Sequence, residues 1–311
     1  MYKKLKKLFN IEVDPIKSFK SFFVYWVCKN ISDERYLKFK FRMIMRRKLD
    51  IKQPKTFNEK IQWLKLYDRK AKYVELVDKY EVRKHVKALI GEEYLIPLLG
   101  VWPTFQEIDF SKLPNRFVLK CTHDSGGVVV CQDKGRLDWD KIGKKMDKQL
   151  AKNYYYSGRE WPYKNIKPRI ICEDLIESES GGLPNDYKFH CFNGKAKNVM
   201  ICTDRLKGQT QYYFFDRQWK YLPCLVEGWN APEGFTLPKP EKLDEMFALA
   251  ETMAKGFAFV RVDLYCEKGK IYFGELTLYP ESGFDDVILP ETDAAWGRDL
   301  QLPDVESCKV Q

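Results

Sequence analysis

The sequence has no CxxC pair, and its nine cysteines (28, 121, 131, 172, 191, 202, 224, 266 and 308) are odd in number and scattered. Zinc cages and disulfide frameworks need paired spacings, so reduced, buried thiols in apolar runs are expected instead. No stretch approaches the ~20 consecutive apolar residues of a membrane span. The opening MYKKLKKLF leads to no cleavage site, so no signal peptide is expected and the chain reads as cytoplasmic. Also missing are Walker spacing, the alternating parallel strands of a Rossmann unit and any nucleic-acid-binding module, so no nucleic-acid partner is expected.

What is present describes a globular protein. The 311 residues are 44% hydrophobic, 15% aromatic and 32% charged, enough apolar material for two or three lobes. The net charge of +10 is uneven: residues 1–50 hold fourteen Lys/Arg against five Asp/Glu, a surplus of nine. With Phe19, Phe22, Phe23, Tyr25 and Trp26 beside them, these cations suit an anionic membrane surface or an acidic polymer. A basic helical extension packed on the main body explains them equally well.

Residues 33–49 have a basic helical pattern that Pro54 closes, and Thr56-Phe-Asn-Glu59 has capping-box spacing for the next helix. Tyr73 to Leu89 reads as one further helix with Gly91 at its end, and Leu95 to Val101 as a short strand or link. Arg116 to Gln132 reads as strand, loop, strand. Backbone amides around Ser125, Gly126 and Gly127 suit phosphate oxygens, and Lys120 at the strand end supplies a charge; an ordinary surface hairpin has the same pattern.

Asp138-Trp-Asp140 has the spacing by which sugar-nucleotide transferases hold a metal, although Asp140 as a cap for the lysine-rich helix that follows is simpler. The aromatic run from Tyr154 to Lys167, with Arg159 and Lys164, suits recognition of a sugar or anion, or packing of a small lobe. Pro168 to Ile176 is a buried strand ending in acid, with a lobe boundary soon after it.

Asn193-Gly194 is a type I′ turn signal that makes Asp186 to Arg205 a hairpin. The turn is expected to pair Lys188 with Val199 and to gather Asp186, Lys188, His190, Lys197 and Arg205 on one face. His190 has no catalytic partner in sequence and reads as structural. Residues 211–240 look irregular, and Glu241 to Phe257 is an amphipathic helix.

That helix leads into FVRVDLYCEKGKIYFGELTLYP, residues 259–280, a hairpin around Glu267-Lys268-Gly269. A three-residue loop would set Cys266 opposite Lys270 and Arg261 opposite Glu275, with Asp263 diagonal to Glu275. Arg261, Asp263, Glu275 and Thr277 would then share one face, with Val262, Leu264, Cys266, Leu276 and Leu278 on the other. Two carboxylates beside an arginine make a magnesium and anion site. A two-residue loop at Lys268-Gly269 would instead split Asp263 from Glu275, and a solvated face with cross-strand ion pairs is the plainer account.

The succession of these segments resembles the ATP-grasp superfamily. DYKFHCFNG to Asp204-Arg205 looks like the corresponding hairpin of the ribosomal-protein glutamate ligase branch. More closely, VDKYEVRKHV, YLIPLLGVW, FVLKCTHDSGG, NYYYSGREW, DYKFHCFNG and RVDLYCEKGKIYFGELTLYP resemble the TupA-like ATP-grasp family, named for teichuronopeptide biosynthesis and found with bacterial surface-polysaccharide pathways. The resemblance runs from about residue 50 to the C-terminus.

It implies an α+β fold whose two lobes grip ATP, with divisions at 1–52 (helical basic extension), 53–110 (helical), 111–180 (small lobe) and 181–311 (lobe with the metal site). It further implies that Lys120 contacts ATP phosphates beneath Ser125, Gly126 and Gly127, and that Glu173 sits at the adenosine hinge. Lys188 and Arg205 would face phosphates or the acyl acceptor, Arg261 would stabilise the transferred phosphoryl group, and Lys79 would be a first nucleotide contact. Asp263 and Glu275, with Thr277 where many relatives have Asn, would hold Mg²⁺. The implied activity is that of a carboxylate-amine ligase joining an amine to a uronic acid or polysaccharide carboxylate. Membrane contact would run through residues 1–50. A glycosyltransferase of capsular polysaccharide synthesis or a non-catalytic nucleotide-binding scaffold are the alternatives.

Overall fold

The computed structural model of the chain describes residues 30–178, 182–203 and 210–308. The basic and aromatic run before Asn30 and the predicted site residue Arg205 lie outside these described residues. In chain order the helices are α1 (Asp33–Met45), α2 (Phe57–Tyr67), α3 (Tyr73–Val77), α4 (Val82–Leu89), α5 (Trp139–Leu150), α6 (Tyr155–Gly158), α7 (Leu243–Met253) and α8 (Pro290–Asp299). The strands are β1 (Leu98–Trp102), β2 (Phe117–Cys121), β3 (Val128–Cys131), β4 (Ile170–Asp174), β5 (Asp186–Phe192), β6 (Lys195–Thr203), β7 (Gln211–Phe215), β8 (Tyr221–Leu222), β9 (Phe259–Glu267) and β10 (Lys270–Thr277). Among the described residues no helix is long and apolar enough to cross a membrane.

The chain folds as two compact units. One unites the described residues up to Ala71 with Tyr154–Lys164 and the stretch from Tyr279 onward. Its α2 opens with the predicted capping box, in which Thr56 Oγ1 accepts from Glu59 N and the Glu59 carboxylate accepts from Thr56 N. Phe57 meets Trp296 of α8 edge-on at 5.5 Å. Asp293 accepts from the backbone and side-chain amides of Asn58 at 2.8 and 3.0 Å, which ties the start of α2 to α8.

The other unit, Lys72–Asn153 with Asn165–Leu278, holds both sheets. The smaller is antiparallel in the order β1-β4-β2-β3, and α5 buries Met146 against Phe117, Leu119 and Ile170. The larger has the order β10-β9-β5-β6-β7-β8. Helix α7 covers one of its faces, with Phe247 edge-on to Phe189 at 4.9 Å, and Val262, Leu264, Leu276 and Leu278 are buried as the alternation predicts.

Several local expectations need correction. Residues 73–89 form two helices because Asp78 Oδ1 accepts from the amides of Tyr80 and Glu81 and turns the chain between them. Part of 211–240, expected to be irregular, forms β7 and β8, because Phe214 and Phe215 bury against the sheet. The cap of α5 is Asp138, which accepts from Lys141 N at 3.0 Å, and Asp140 falls in the first turn.

The two hairpin registers also differ from expectation, each by one inserted residue. Asn193 and Gly194 form the predicted two-residue turn, both with positive φ. Lys197 is then an extra residue between Ala196, opposite Cys191, and Asn198, opposite His190. Lys188 therefore pairs with Met200, not Val199, and Lys197 leaves the face assigned to it.

At the second hairpin the turn is two residues, Lys268 (φ 51°) and Gly269 (φ 68°), so Lys270 faces Glu267 instead of Cys266. Alone, this turn would carry Glu275 to the apolar face. Gly274 is an extra residue in β10, and it restores the parity: Asp263 faces Glu275, and Arg261 faces Thr277 in place of Glu275. A side chain would be crowded there, because a Cβ on Gly274 would lie 3.0 Å from the Asp263 carbonyl oxygen.

Candidate active site

Strand pairing sets the polar groups of the larger sheet in cross-strand rows. One row runs Asn198, His190, Arg261, Thr277; the next runs Met200, Lys188, Asp263, Glu275. Partners in register share a face, so the sheet itself brings together Lys188, Arg261, Asp263, Glu275 and Thr277.

The face is not a solvated one. Asp263 is 1% exposed, and it sits in a fork in which Arg261 Nε donates to Oδ1 and Nη2 to Oδ2, both at 2.7 Å. Lys188 Nζ donates to the same Oδ2 and also bridges Asp186 at 2.7 Å. Arg261 Nη2 further reaches Thr277 Oγ1 at 3.1 Å and Glu275 Oε1 at 3.4 Å. Removing such charges from water costs several kcal/mol each unless they are paired, and here each cation has a carboxylate.

The pairing fixes the protonation states. Burial alone would raise the Asp263 carboxyl, but Arg261 and Lys188 outweigh it and hold the group below the usual carboxylate range. Burial would likewise discharge Lys188 and Arg261, yet the carboxylates around them raise both above their ordinary values. These two are permanent charges and not proton carriers. Burial, then the Arg261 charge, pushes the His190 imidazole down to about 3, so this ring is neutral between Phe214 and Phe259.

On the smaller sheet, Lys120 Nζ donates to Glu173 Oε2 at 2.7 Å. The other oxygen of Glu173 accepts from Arg83 Nη1 at 2.7 Å, and Arg83 Nη2 also donates to the Ile96 carbonyl. Glu173 is buried, so its carboxylate serves Lys120 and Arg83 in this structure. Burial opposes the Lys120 charge, but Glu173, Tyr265 and Glu275 prevail and raise its pKa. Arg83 was not among the predicted residues. Its signal is faint, a single cation on α4 whose partner lies ninety residues away.

Of the predicted phosphate loop, Ser125 and Gly126 are exposed and Gly127 is buried, with its N–H donated to Asp124 Oδ1 at 3.0 Å. The ammonium of Lys79, expected to be a first nucleotide contact, donates to the Asp124 carbonyl in this structure. The eight cysteines among the described residues are free thiols, and burial pushes those of Cys121 and Cys172 up to about 12.

A magnesium ion fits this donor set in the manner of phosphate-transfer sites, which use one or two carboxylates plus phosphate oxygens and no complete protein cage. Among the described residues no three or more His, Cys, Asp or Glu side chains surround a metal position. The cluster is formally three carboxylates (Asp186, Asp263, Glu275) against two cations (Lys188, Arg261), an excess of one negative charge. That balance calls for a divalent cation before a polyphosphate can approach, and Glu275, with a side chain 38% exposed, is the accessible ligand.

No curated protein matches the sequence. Similar solved structures include D-alanine-D-alanine ligase from Helicobacter pylori, 13% identical over 78% of this chain and 69% of that chain, with a TM-score of 0.42. The same enzyme from Bacillus anthracis complexed with ATP is 15% identical over 73% and 68%, with a TM-score of 0.38. An L-amino acid ligase from Bacillus licheniformis is 14% identical over 75% and 52%, with a TM-score of 0.41, so this chain spans about half of that protein's length. Residues 59–301 match the family described as TupA-like ATPgrasp, and the chain, covered over well more than half its length, belongs to that family and to its α+β ATP-grasp fold.

Proposed function

We propose that this protein is an ATP- and magnesium-dependent carboxylate-amine ligase that works through an acyl phosphate. The observation that carries the reading is the buried convergence of Arg261 and Lys188 on Asp263, with Glu275 and Thr277 in the same rows. Fixed cations beside carboxylates able to hold a metal serve phosphoryl transfer, where positioning and charge stabilisation are most of the catalysis. Magnesium, when bound at Glu275 and Asp263, neutralises phosphate charge there.

In the first step a carboxylate oxygen of the acid bonds to the γ-phosphorus of ATP, the bond to the bridging oxygen breaks and ADP departs. In the second an amine nitrogen bonds to the acyl carbon, inorganic phosphate leaves and the amine loses a proton. Arg261 and Lys188 keep their charge through both steps and stabilise the transferred phosphoryl group. Lys120, held by Glu173, presents a further cation toward the phosphates, and Arg205 is assigned from the sequence resemblance to the phosphates or the acyl acceptor. Ser125 and Gly126 are exposed residues of a glycine-bearing loop, a kind of loop that suits phosphate oxygens.

The acid we assign is a uronic acid of a bacterial surface polysaccharide or its precursor, and the amine an amino acid or similar compound. What supports this substrate reading is the surface-polysaccharide context of the family that the sequence motifs resemble. A glycosyltransferase working through Asp138 and Asp140 is disfavoured, because the Asp138 carboxylate caps α5. Membrane-surface contact through residues 1–50 rests on their charge and aromatic content. The test is coupled ADP release with panels of uronic acids and amines: ADP formed only when acid, amine and magnesium are all present supports the ligase, and UDP- or GDP-sugar turnover in its place overturns it.

A further inference from the structure

Helix α1 leaves two large apolar side chains outside while it takes a lysine in. Its inner face is fixed: Leu37 and Phe41 are fully buried, Phe41 lies 6.3 Å from the Phe284 ring, and Tyr36 Oη donates to the Ser157 carbonyl at 2.9 Å. Lys40, 4% exposed, donates to the same carbonyl at 2.6 Å and lies 4.8 Å over the Phe284 ring. These contacts hold the helix against rolling to cover its other face. That face carries Arg35, Lys38, Phe39, Arg42 and Met43, all exposed. At 3.6 residues per turn the five fall within an arc of about 140°. Phe39 is 53% exposed and Met43 37%, two of the six large hydrophobic side chains left exposed among the described residues. Ion pairing does not neutralise the arc. Lys38 pairs with Glu34 at its edge, while Arg35 and Arg42 make no ion pair among the described residues.

We propose that this outer stripe of α1 is a docking face for an anionic lipid bilayer, with its cations on lipid phosphates and Phe39 and Met43 inserted among the headgroups. The inference deepens the membrane-surface reading above by giving it a face, and it rests on that reading. The chemistry of the stripe selects the occupant. Arginine offers lipid phosphates a planar fork of donors, and each cation near an anionic surface adds to binding. An acidic polymer would answer the cations alone and would give Phe39 and Met43 no apolar surroundings. An aromatic ring and a methionine set among cations is the pattern of a helix that lies in the interface plane. A second copy packed through the same stripe would set arginine against arginine, which like charges oppose. The chain that leads into α1, residues 1–29, is also rich in cations and aromatic residues.

Sedimentation of the full chain with vesicles tests this, using phosphatidylcholine alone against phosphatidylcholine mixed with phosphatidylglycerol. The unmodified protein should partition onto the mixed vesicles only, and less as salt rises. Arg35→Gln combined with Arg42→Gln should weaken partitioning about tenfold or more, since each cation contributes roughly fivefold. Phe39→Gln combined with Met43→Gln should weaken it at least about threefold. Both variants should keep the melting curve of the unmodified protein, because the side chains they change are exposed. Unchanged partitioning in both overturns the proposal, and a loss confined to the arginine variant overturns the insertion of Phe39 and Met43. If both variants bind normally while changing Lys3, Lys4, Lys6 and Lys7 to Gln abolishes binding, the stripe fails and the membrane reading for residues 1–50 stands. No binding of the unmodified protein to mixed vesicles overturns both. Binding to heparin without binding to vesicles assigns the stripe to an acidic polymer, and a dimer that the arginine changes dissolve assigns it to a second copy; either result overturns the proposal.

Discussion

Asp263 and Glu275 face each other across the β9–β10 hairpin only because Gly274 is an extra residue between Phe273 and Glu275. Were Gly274 paired in regular register with Asp263, the two-residue turn at Lys268 and Gly269 would leave Glu275 and Thr277 pointing at the apolar core. Deleting Gly274 sets Glu275 directly after Phe273 and so still opposite Asp263, with Thr277 still opposite Arg261, and magnesium-dependent ADP release should persist in the deletion variant. Loss of ADP release in a deletion variant that still folds would show that the local bend of the bulge, and not the parity alone, positions Glu275. Gly274→Ala, crowded against the Asp263 carbonyl, should cost on the order of 1 kcal/mol in a denaturant titration.

Glu275 is the least buried charge of the cluster, so its removal separates chemistry from folding. Glu275→Gln should reduce ADP release by about a hundredfold or more. Stability should change by less than about 1 kcal/mol, since the contact to Arg261 is long and half-exposed. Full turnover with a normal melting curve would sink the ligase reading.

Arg83 acts on Lys120 through Glu173. Arg83→Met leaves Glu173 with one partner in a buried place and should cost about 1–3 kcal/mol of stability. Because Glu173 then pulls on Lys120 alone, the KM for ATP should rise. Thermal denaturation together with ATP titration checks both effects, and unchanged ATP affinity would limit Arg83 to a role in folding.

His190 supplies a pH signature. Its folded pKa of about 3 lies below the ordinary 6.5, so between those values the unfolded chain binds the extra proton. Its contribution to stability is present above pH 6.5 and is lost as pH falls from 6.5 toward 3. The charged and titratable groups nearest the ring are Arg261, Asp263 and Lys188, with Asn198 as a hydrogen-bond partner, and all three stay ionised through this window. His190→Gln should flatten the fall in melting temperature between pH 6.5 and 4; an equally steep fall in the variant would show that the carboxylates dominate it.

Asp138 separates the two enzyme readings. Asp138→Ala should cost roughly 1 kcal/mol through loss of the α5 cap while ADP release continues unchanged. Loss of activity at full stability would favour the sugar-nucleotide transferase.

The candidate site was legible in the sequence to an unequal degree. Arg261-x-Asp263, Glu275-x-Thr277 and Lys188 stand out because alternation in a strand fixes which residues share a face. Gly274 inside a strand pattern was the available sign of a bulge, and it passed unread, so the turn length was misjudged while the face was right. Glu173 was expected at the adenosine hinge; its buried position between Arg83 and Lys120 adds partners that no local pattern contains.

By itself the sequence determined the order of elements, the amphipathic faces, the turn at Asn193-Gly194, and the family, because these depend on residues close together in the chain. Only the tertiary structure decided the strand registers, the burial of the charged face and the partners of Lys79, Arg83 and Glu173. The physical reason is that one inserted residue reverses the parity of a strand at almost no local cost. Which parity wins is set by burial and ion pairing against strands and helices far away in sequence.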